Sequence, residues 1–394
     1  MLRVLVVSTL FPNHIRPLFG TFVERQTLGL AALEGVEVQV VVPRALPPPP
    51  FDRHPRYAPE RTLPQYEEWQ GVPLYRPRFH HFPKIGTRYD PAMMVRALLP
   101  LLCDIRKRFA FDVIAAEYFF PDGPAVAELG RRLGVPVSIK ARGSDINVWG
   151  QRPDTGPQVI AAGKAADGML AVSAAMKREM VALGMADDKI RVHYTGIDRR
   201  LFHVRNRAEA KQRLGIIGSL VVTVAPLIER KGVDLVISAM ANVPQATLVV
   251  TGAGSDEARL RSLTVQMGVA DRVRLLGIQP RGDVADWLAA ADVMALPSAS
   301  EGLANAWVEA LASGTPIVIA DVGGARELVQ DKVAGMLVTR DASAIADAIN
   351  TLIADPPDRD AVCRTVDRFS WETNATLLFD HLSAMVDYRR QIQP

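Results

Sequence analysis

Cysteine is scarce in this chain. Cys103 and Cys363 are the only two in 394 residues. Two isolated thiols exclude a disulfide framework and a cysteine-based zinc site, and they suit a reducing, cytoplasmic location. Long apolar runs are missing too. No stretch approaches the roughly 20 residues that a membrane-spanning helix needs. The opening MLRVLVVSTLFPNH carries Ser8 and Thr9 inside its apolar part and reads as a buried first strand, not a leader peptide. The loop after that strand has no G-x-G-x-x-G, which argues against an NAD-dependent dehydrogenase.

A strong overall charge is also absent, since the chain carries a net +3. The charge is divided unevenly: residues 1–200 hold 27 Lys/Arg and 20 Asp/Glu, and the remainder hold 19 and 23. The first half is therefore +7 and the second −4. Residues 44–108 account for most of the excess, with 12 basic and 6 acidic side chains. A regional bias of this kind points to one half meeting something anionic and gives no support to nucleic acid as a partner.

What is present is a globular composition, with 48% apolar and 23% charged residues. That excludes a disordered, collagen-like or coiled-coil chain, and the length suggests two domains. Short Val-rich runs at residues 4–7, 36–42, 113–116, 135–140 and 169–172 read as strands in the first half. Those at 220–225, 247–251, 273–276, 293–296 and 316–320 do so in the second. Amphipathic helical patterns lie between them, so the expected fold is α/β with parallel sheets. Two irregularities oppose a single barrel. One is the Pro-rich excursion of residues 43–91, and the other is HYTGIDRRLFHVRNR at 193–207, where Gly196 is expected to take a left-handed turn. The domain boundary is placed there. The helical tail from Trp371 could cap the second domain or cross back to the first.

Open α/β sheets bind ligands at the carboxyl ends of their strands, so chemistry is sought in the loops that follow strands. In LPSASEGLANAWVEALASGTPIVIADVGGARE a strand ends at Leu296 and a helix begins near Asn305. Free N–H groups at such a helix start suit a phosphate. Glu301 and Glu309 flank that start and can accept bonds from sugar hydroxyls; taken alone, the pair reads more readily as a helix cap and a solvated face residue. VTVAPLIERKGVD places Arg230 and Lys231 after another strand, where two cations suit a diphosphate, although alone they read more readily as an exposed basic pair at a loop tip. Gly252, in VVTGAGSDE, is a weak glycine signal. In the first half, VSIKARGSDINVW delivers Arg142 and Asp145, EYFFPDG delivers Glu117 and Asp122, and Gly20 precedes a helix after the first strand. Arg142 with Asp145 could equally be a local ion pair.

Taken together, these motifs resemble glycosyltransferase family 4, over essentially the whole chain. EGLANAWVEALASGTPIVIADVGGARELV is similar to the family's E-x7-E signature with the G-x-P-V and GG-x-x-E that follow it, and HYTGIDRRLF is similar to its interdomain element. FSWE before the tail resembles the start of the family's terminal crossing helix. FGTFVERQ, EYFFPDG and ARGSDIN look most like the branch that builds bacterial surface polysaccharides. The resemblance implies the GT-B fold, with two Rossmann-like doubly wound domains facing a central cleft. Residues 1–200, with a crossing helix at 370–394, would bind the acceptor, and residues 201–370 the donor.

The implied activity is retaining transfer of a hexosyl unit from a nucleotide-diphosphate sugar, with no metal or other cofactor. Glu301 would hold the donor sugar, Glu309 the ribose, and Gly302, Leu303, Ala304 and Asn305 the diphosphate. Lys231 and Arg230 would neutralise the leaving group, with Gly252 and Gly20 also near the donor. Arg142 and Asp145 would line the reaction centre, with Glu117 and Asp122 on the acceptor side. The chain departs from the family at Ala225-Pro226-Leu227, where Gly-Arg-Leu is usual, and at Glu117, where His is common; both changes should weaken phosphate binding. A GT-B epimerase and a non-catalytic nucleotide-sugar-binding protein are the rival readings.

The basic region suits a glycan or polyprenyl-linked acceptor and an anionic membrane surface at the inner face of the plasma membrane. Its cations Arg53, Arg56, Arg76, Arg78, Lys84, Arg88, Arg106, Lys107 and Arg108 are interleaved with aromatics, and residues 93–109 add an amphipathic stretch.

Overall fold

The computed structural model of the protein describes residues 1–83 and 86–392, so Lys84 lies outside the described residues. The chain divides into two compact units, Met1–Gly196 with Trp371–Pro394, and Ile197–Ser370. Each is built on a sheet of short Val-rich strands covered by helices, as continuous apolar runs require when both faces are buried.

The first unit holds an eight-stranded sheet. Leu2–Val7 lies inside it. From there the chain steps to Val36–Val41 on one side, and later to Val113–Ala116, Val137–Ala141, Gly168–Ala171 and Ile190–Val192 on the other. Direction therefore reverses between Leu2–Val7 and Val113–Ala116. Successive side chains of the first strand enter opposite layers, since Leu5 and Val7 join one core cluster and Val4 and Val6 the other. The second layer is closed by Leu378, Leu382 and Met385 of the helix Trp371–Ile392. That helix packs on the helix Thr21–Ala31, where Gly29 would place a Cβ 3.5 Å from Ala375.

The second unit has a six-stranded sheet in which every pairing is parallel. Its order is Val273–Leu275, Ala246–Thr251, Ser219–Val224, Val293–Leu296, Ile317–Ala320 and Gly335–Val338. The reversal falls between Ser219–Val224 and Val293–Leu296. In a doubly wound sheet this is where the loops at the carboxyl ends diverge and leave a crevice.

Two expectations change. Gly196 is not in the left-handed region. It is glycine because a Cβ there would meet the ring and Cα of Trp371 at 2.6–2.8 Å, so close packing selects it. The amphipathic stretch of residues 93–109 is likewise not a free face. It forms most of the helix Asp90–Arg108, whose Met94, Leu98, Leu102 and Ile105 are buried in the first unit's core. Its apolar side is thus taken up internally. The Pro-rich excursion contains an antiparallel hairpin, Tyr66–Trp69 with Val72–Tyr75, added to the edge of the large sheet. Among the described residues, no helix is long and apolar enough to cross a membrane.

Candidate functional site

In the second unit the two strands at the reversal point send out the loops that carry the charged residues. After Ser219–Val224 a short 3-10 turn, Glu229–Lys231, presents Arg230 and Lys231. After Val293–Leu296 the next loop presents Glu301 and leads to the helix Asn305–Ala312. The loops interlock: Ala299 N–H donates to the Arg230 carbonyl at 2.8 Å, and the Arg230 guanidinium donates to the Ser300 carbonyl. The Lys231 ammonium makes a direct ion pair with the Glu301 carboxylate, and Arg230 stands 3.9 Å from the same carboxylate. Both members of the pair are about nine-tenths buried, with side chains 11% and 10% exposed. Sheltering strengthens such a pair relative to one in open solvent.

Gly302, Leu303 and Ala304 carry the chain from Glu301 to the helix start at Asn305. Ala304 gives that start no side-chain acceptor, so its first-turn N–H groups have no side-chain cap. An anion fits such an end. The next loop is tied to this one by the Gly324 N–H, which donates to the Gly302 carbonyl at 2.8 Å. Glu309 sits inside the helix, largely buried, and accepts from Arg281 at 2.7 Å. Arg281 begins the helix Arg281–Ala290, and its guanidinium lies 5.2 Å from the Phe202 ring centre.

Gly252 has a different task from the expected one. Its N–H donates to the Gly277 carbonyl at 2.8 Å, and a Cβ would fall 1.9 Å from the Ala225 carbonyl oxygen. It is glycine so that two strand-end loops can touch, and its N–H is not offered to a phosphate. Pro226 is exposed on the neighbouring loop. Asp358 caps the helix Arg359–Arg364 by accepting from the Ala361 N–H.

In the first unit the predicted residues also gather at the strand ends, but their charges are turned inward. Glu117 is 2% exposed, bonded to the Arg142 guanidinium and, at 2.7 Å, to the Gln26 amide. The Arg142 side chain is 6% exposed and lies 4.7 Å from the Phe22 ring centre. The carboxylate that departs from the family pattern is therefore balanced inside the unit, and Arg142 is engaged with it, not free at a rim. Asp145 is fully buried and accepts from the backbone N–H groups of Phe119, Arg142 and Gly143 at 2.8–3.1 Å. Burial pushes its pKa up, against those bonds. It clamps two loops together and does not line a surface.

Asp122 is fully buried as well, takes the Thr9 N–H at 2.9 Å, and is pushed up to about 7, chiefly by burial. Neither it nor Glu117 faces outward on an acceptor side. Gly20, at φ 72°, stands at the start of the helix Thr21–Ala31, where a Cβ would meet the Leu10 carbonyl.

Sequence reasoning missed Arg281, which opens the helix Arg281–Ala290 and shows its role only through Glu309, 28 positions away. It also missed Lys140. This side chain is buried within the strand Val137–Ala141, donates to Gln26 at 2.6 Å, and lies 2.7 Å from His193 Nδ1. Burial, with Arg142 nearby, holds its pKa well below that of an ordinary lysine. A polar residue inside an apolar strand was the available signal.

Two doubly wound parallel-sheet units in one chain, the second with paired carboxylates and cations at its reversal point, define a GT-B glycosyltransferase. Comparisons with known proteins agree. The model of "Glycosyl transferases group 1" matches residues 206–365, and that of "Glycosyltransferase Family 4" matches residues 20–201. TuaC of Bacillus subtilis, assigned to teichuronic acid biosynthesis as a glycosyltransferase, is 28% identical over 88% of this chain and 88% of its own. Among solved structures, sucrose-phosphate synthase from Thermosynechococcus elongatus matches with a TM-score of 0.79 at 20% identity, covering 98% of this chain and 100% of the other. Anabaena HepE, solved with UDP-glucose, matches at 0.74 and 20% identity over the same shares. Glycosyltransferase models thus match both halves of the chain, and the protein is an enzyme of nucleotide-sugar-dependent glycosyl transfer.

Proposed function

We propose that this protein transfers a hexosyl unit, with retention of configuration, from a uridine-diphosphate sugar to a glycan or lipid-linked glycan of a bacterial surface polysaccharide. The observation that carries the reading is the Lys231–Glu301 pair set across the reversal point, beside the helix start at Asn305 that has no side-chain cap. In this reading the diphosphate lies against the N–H groups from Gly302 to Asn305, with Lys231 and Arg230 beside it. Glu301 accepts from hydroxyls of the transferred sugar, and Glu309, held by Arg281, accepts from the ribose. HepE, of the same fold, is solved with UDP-glucose, which favours uridine as the base. TuaC's assignment to teichuronic acid biosynthesis favours a surface-polysaccharide acceptor.

The chemistry asks more for stabilisation of a leaving diphosphate than for a strong base. The bond from the anomeric carbon to the phosphate oxygen breaks, and the acceptor oxygen forms its bond on the same face. The acceptor proton passes to the departing phosphate. Fixed cations and a helix start supply the stabilisation without a divalent metal. The first unit takes the acceptor.

The test is a thermal-shift and turnover series with UDP, GDP, ADP and their common sugars, followed by proton NMR of the product anomer. UDP should stabilise the protein most, EDTA should leave the rate unchanged, and the product should keep the donor's anomeric configuration. Glu301→Ala should abolish turnover. An inverted product, or full activity in that variant, would defeat the reading.

A further inference from the structure

The first unit contains a pocket that none of the roles above explains. It lies at the carboxyl ends of Leu2–Val7 and Val36–Val41, has a volume of about 330 Å³, and is lined by Arg16, Arg44, Arg56 and Arg76 against one carboxylate, Glu60. A second cavity of about 470 Å³ is walled by Pro47, Pro48, Phe51, Phe82 and Pro83. Arg56 and Tyr57 line both.

We propose that these two cavities form one subsite for an acceptor that joins a phosphate or diphosphate to an apolar chain, the phosphate in the arginine pocket and the chain in the adjoining groove. The inference rests on the glycosyl-transfer reading for the word acceptor; the binding chemistry stands on the pocket itself.

The arginines are the first argument. Burying a guanidinium is costly unless its charge is met. Arg76 is fully buried. Its Nε and Nη2 reach Glu67 at 2.8 and 2.6 Å and Nη2 reaches the Pro12 carbonyl, but its buried Nη1 has no hydrogen-bond partner among the described residues. Arg44, 6% exposed, donates to the carbonyls of Glu60, Leu63 and Arg76, so dipoles and not a carboxylate hold it. Burial first, and then the nearby Arg78, lower its pKa to about 10, against the pull of Glu60. The site therefore holds more positive charge than its own carboxylates offset. Arg16 and Arg56 reach the surface, and Arg16 meets Glu60 only at 3.5 Å with its side chain 61% exposed. A phosphate, which accepts paired N–H donors and carries more charge than a carboxylate, matches such a set of guanidinium groups.

The groove is the second argument. Phe51 is 69% exposed and Phe82 41%. Prolines supply a stiff wall, and those flanking Phe51 and Phe82 add no N–H donors. A free inorganic anion would leave these aromatics unexplained, and a purely apolar ligand would leave the unbonded Nη1 of Arg76 and the excess of guanidinium charge unexplained. Because Arg56 and Tyr57 belong to both walls, the two needs meet in one molecule. The Pro47–Pro50 run thereby acquires a use.

The probe is farnesyl diphosphate, titrated into the full chain by calorimetry beside inorganic diphosphate, farnesol, and phosphatidylglycerol vesicles. Farnesyl diphosphate should bind at least tenfold more tightly than inorganic diphosphate or farnesol. Arg56→Glu should weaken it at least tenfold. Phe51→Ser should weaken farnesyl diphosphate and leave inorganic diphosphate unchanged. Both side chains are exposed, and melting curves confirm that each variant folds; Arg16→Glu repeats the charge test at a second surface site.

Equal affinity for farnesyl and inorganic diphosphate, or indifference to Arg56→Glu, would overturn the proposal. Vesicle binding as tight as farnesyl diphosphate and equally sensitive to Arg56→Glu would assign the pocket to a membrane surface and overturn it too. UDP is titrated in parallel. UDP binding without farnesyl diphosphate binding defeats this subsite alone, and the converse defeats the donor reading while the pocket stands.

Discussion

Lys231→Ala removes the cation paired with Glu301 across the two strands at the reversal point of the second sheet. Glu301 would remain as a carboxylate only 10% exposed, with Arg230 at 3.9 Å as its nearest remaining cation. Deleting one partner of a buried ion pair costs about 3–5 kcal/mol when nothing compensates. Arg230 compensates in part, so about 1–2 kcal/mol is the better expectation. For a unit spanning Ile197–Ser370, each kcal/mol moves the melting temperature by roughly 2–4 °C, giving a drop of about 2–8 °C.

Activity should fall much further. A preorganised charge aimed at a leaving group is worth about 10²–10³ in kcat. The double variant Lys231→Ala/Glu301→Ala separates the two effects. With no orphan carboxylate it should regain part of the lost melting temperature and stay inactive. Scanning calorimetry reads the first quantity, and release of nucleoside diphosphate followed by a coupled assay reads the second. Wild-type kcat/KM in a folded Lys231→Ala protein would refute the reasoning. So would recovery of activity, and not of stability, in the double variant.

Arg281→Ala should free Glu309 from its 2.7 Å partner and raise the donor KM about tenfold with a smaller change in kcat, because it removes positioning of a binding group and not leaving-group stabilisation; steady-state kinetics with varied donor checks this. Asp122, raised to about 7 by burial, is protonated more readily in the fold than in the unfolded chain. Its contribution to stability is therefore greatest at low pH and is lost as pH rises towards 7, so the melting temperature of Asp122→Asn relative to the parent should climb between pH 5 and 8. A flat difference across that range would contradict it. Arg142→Ala should lower the melting temperature by several degrees by leaving Glu117 buried and unpaired, and adding Glu117→Gln to it should restore part of the loss; thermal denaturation of the single and double variants decides.

The strands that carry the site were readable because parallel strands covered on both faces must be continuously apolar, and residues 113–116 and 293–296 are. The hairpin of residues 66–75 was not, since YEEWQGVPLY mixes charge with prolines' neighbours and resembles a loop until it is seen on the sheet edge. Glu301, Lys231 and Asn305 were readable from their position just after strands. Arg281 was not, because nothing local distinguishes it from other surface arginines. Gly252 was read as a ligand glycine when its N–H belongs to Gly277, a contact between loops about 25 residues apart.

Cysteine scarcity, the spread of short Val-rich runs and the E-x7-E segment came from composition and local spacing, and they determined the α/β class, the family and the loops that matter. Only the tertiary structure decided which charges remain available. Glu117 and Arg142 are 25 positions apart, and Lys231 and Glu301 are 70. Each pair is brought together by strand order, the first by the adjacent strands Val113–Ala116 and Val137–Ala141 and the second across the reversal point of the second sheet, a long-range property that no local pattern encodes. Burial then turns the same residue types into opposite roles. In the first unit, Asp145 and Asp122 hold loops from beneath. Near the Pro-rich excursion, Arg44 and Arg76 are buried with more positive charge than their surroundings balance, and that imbalance marks the pocket.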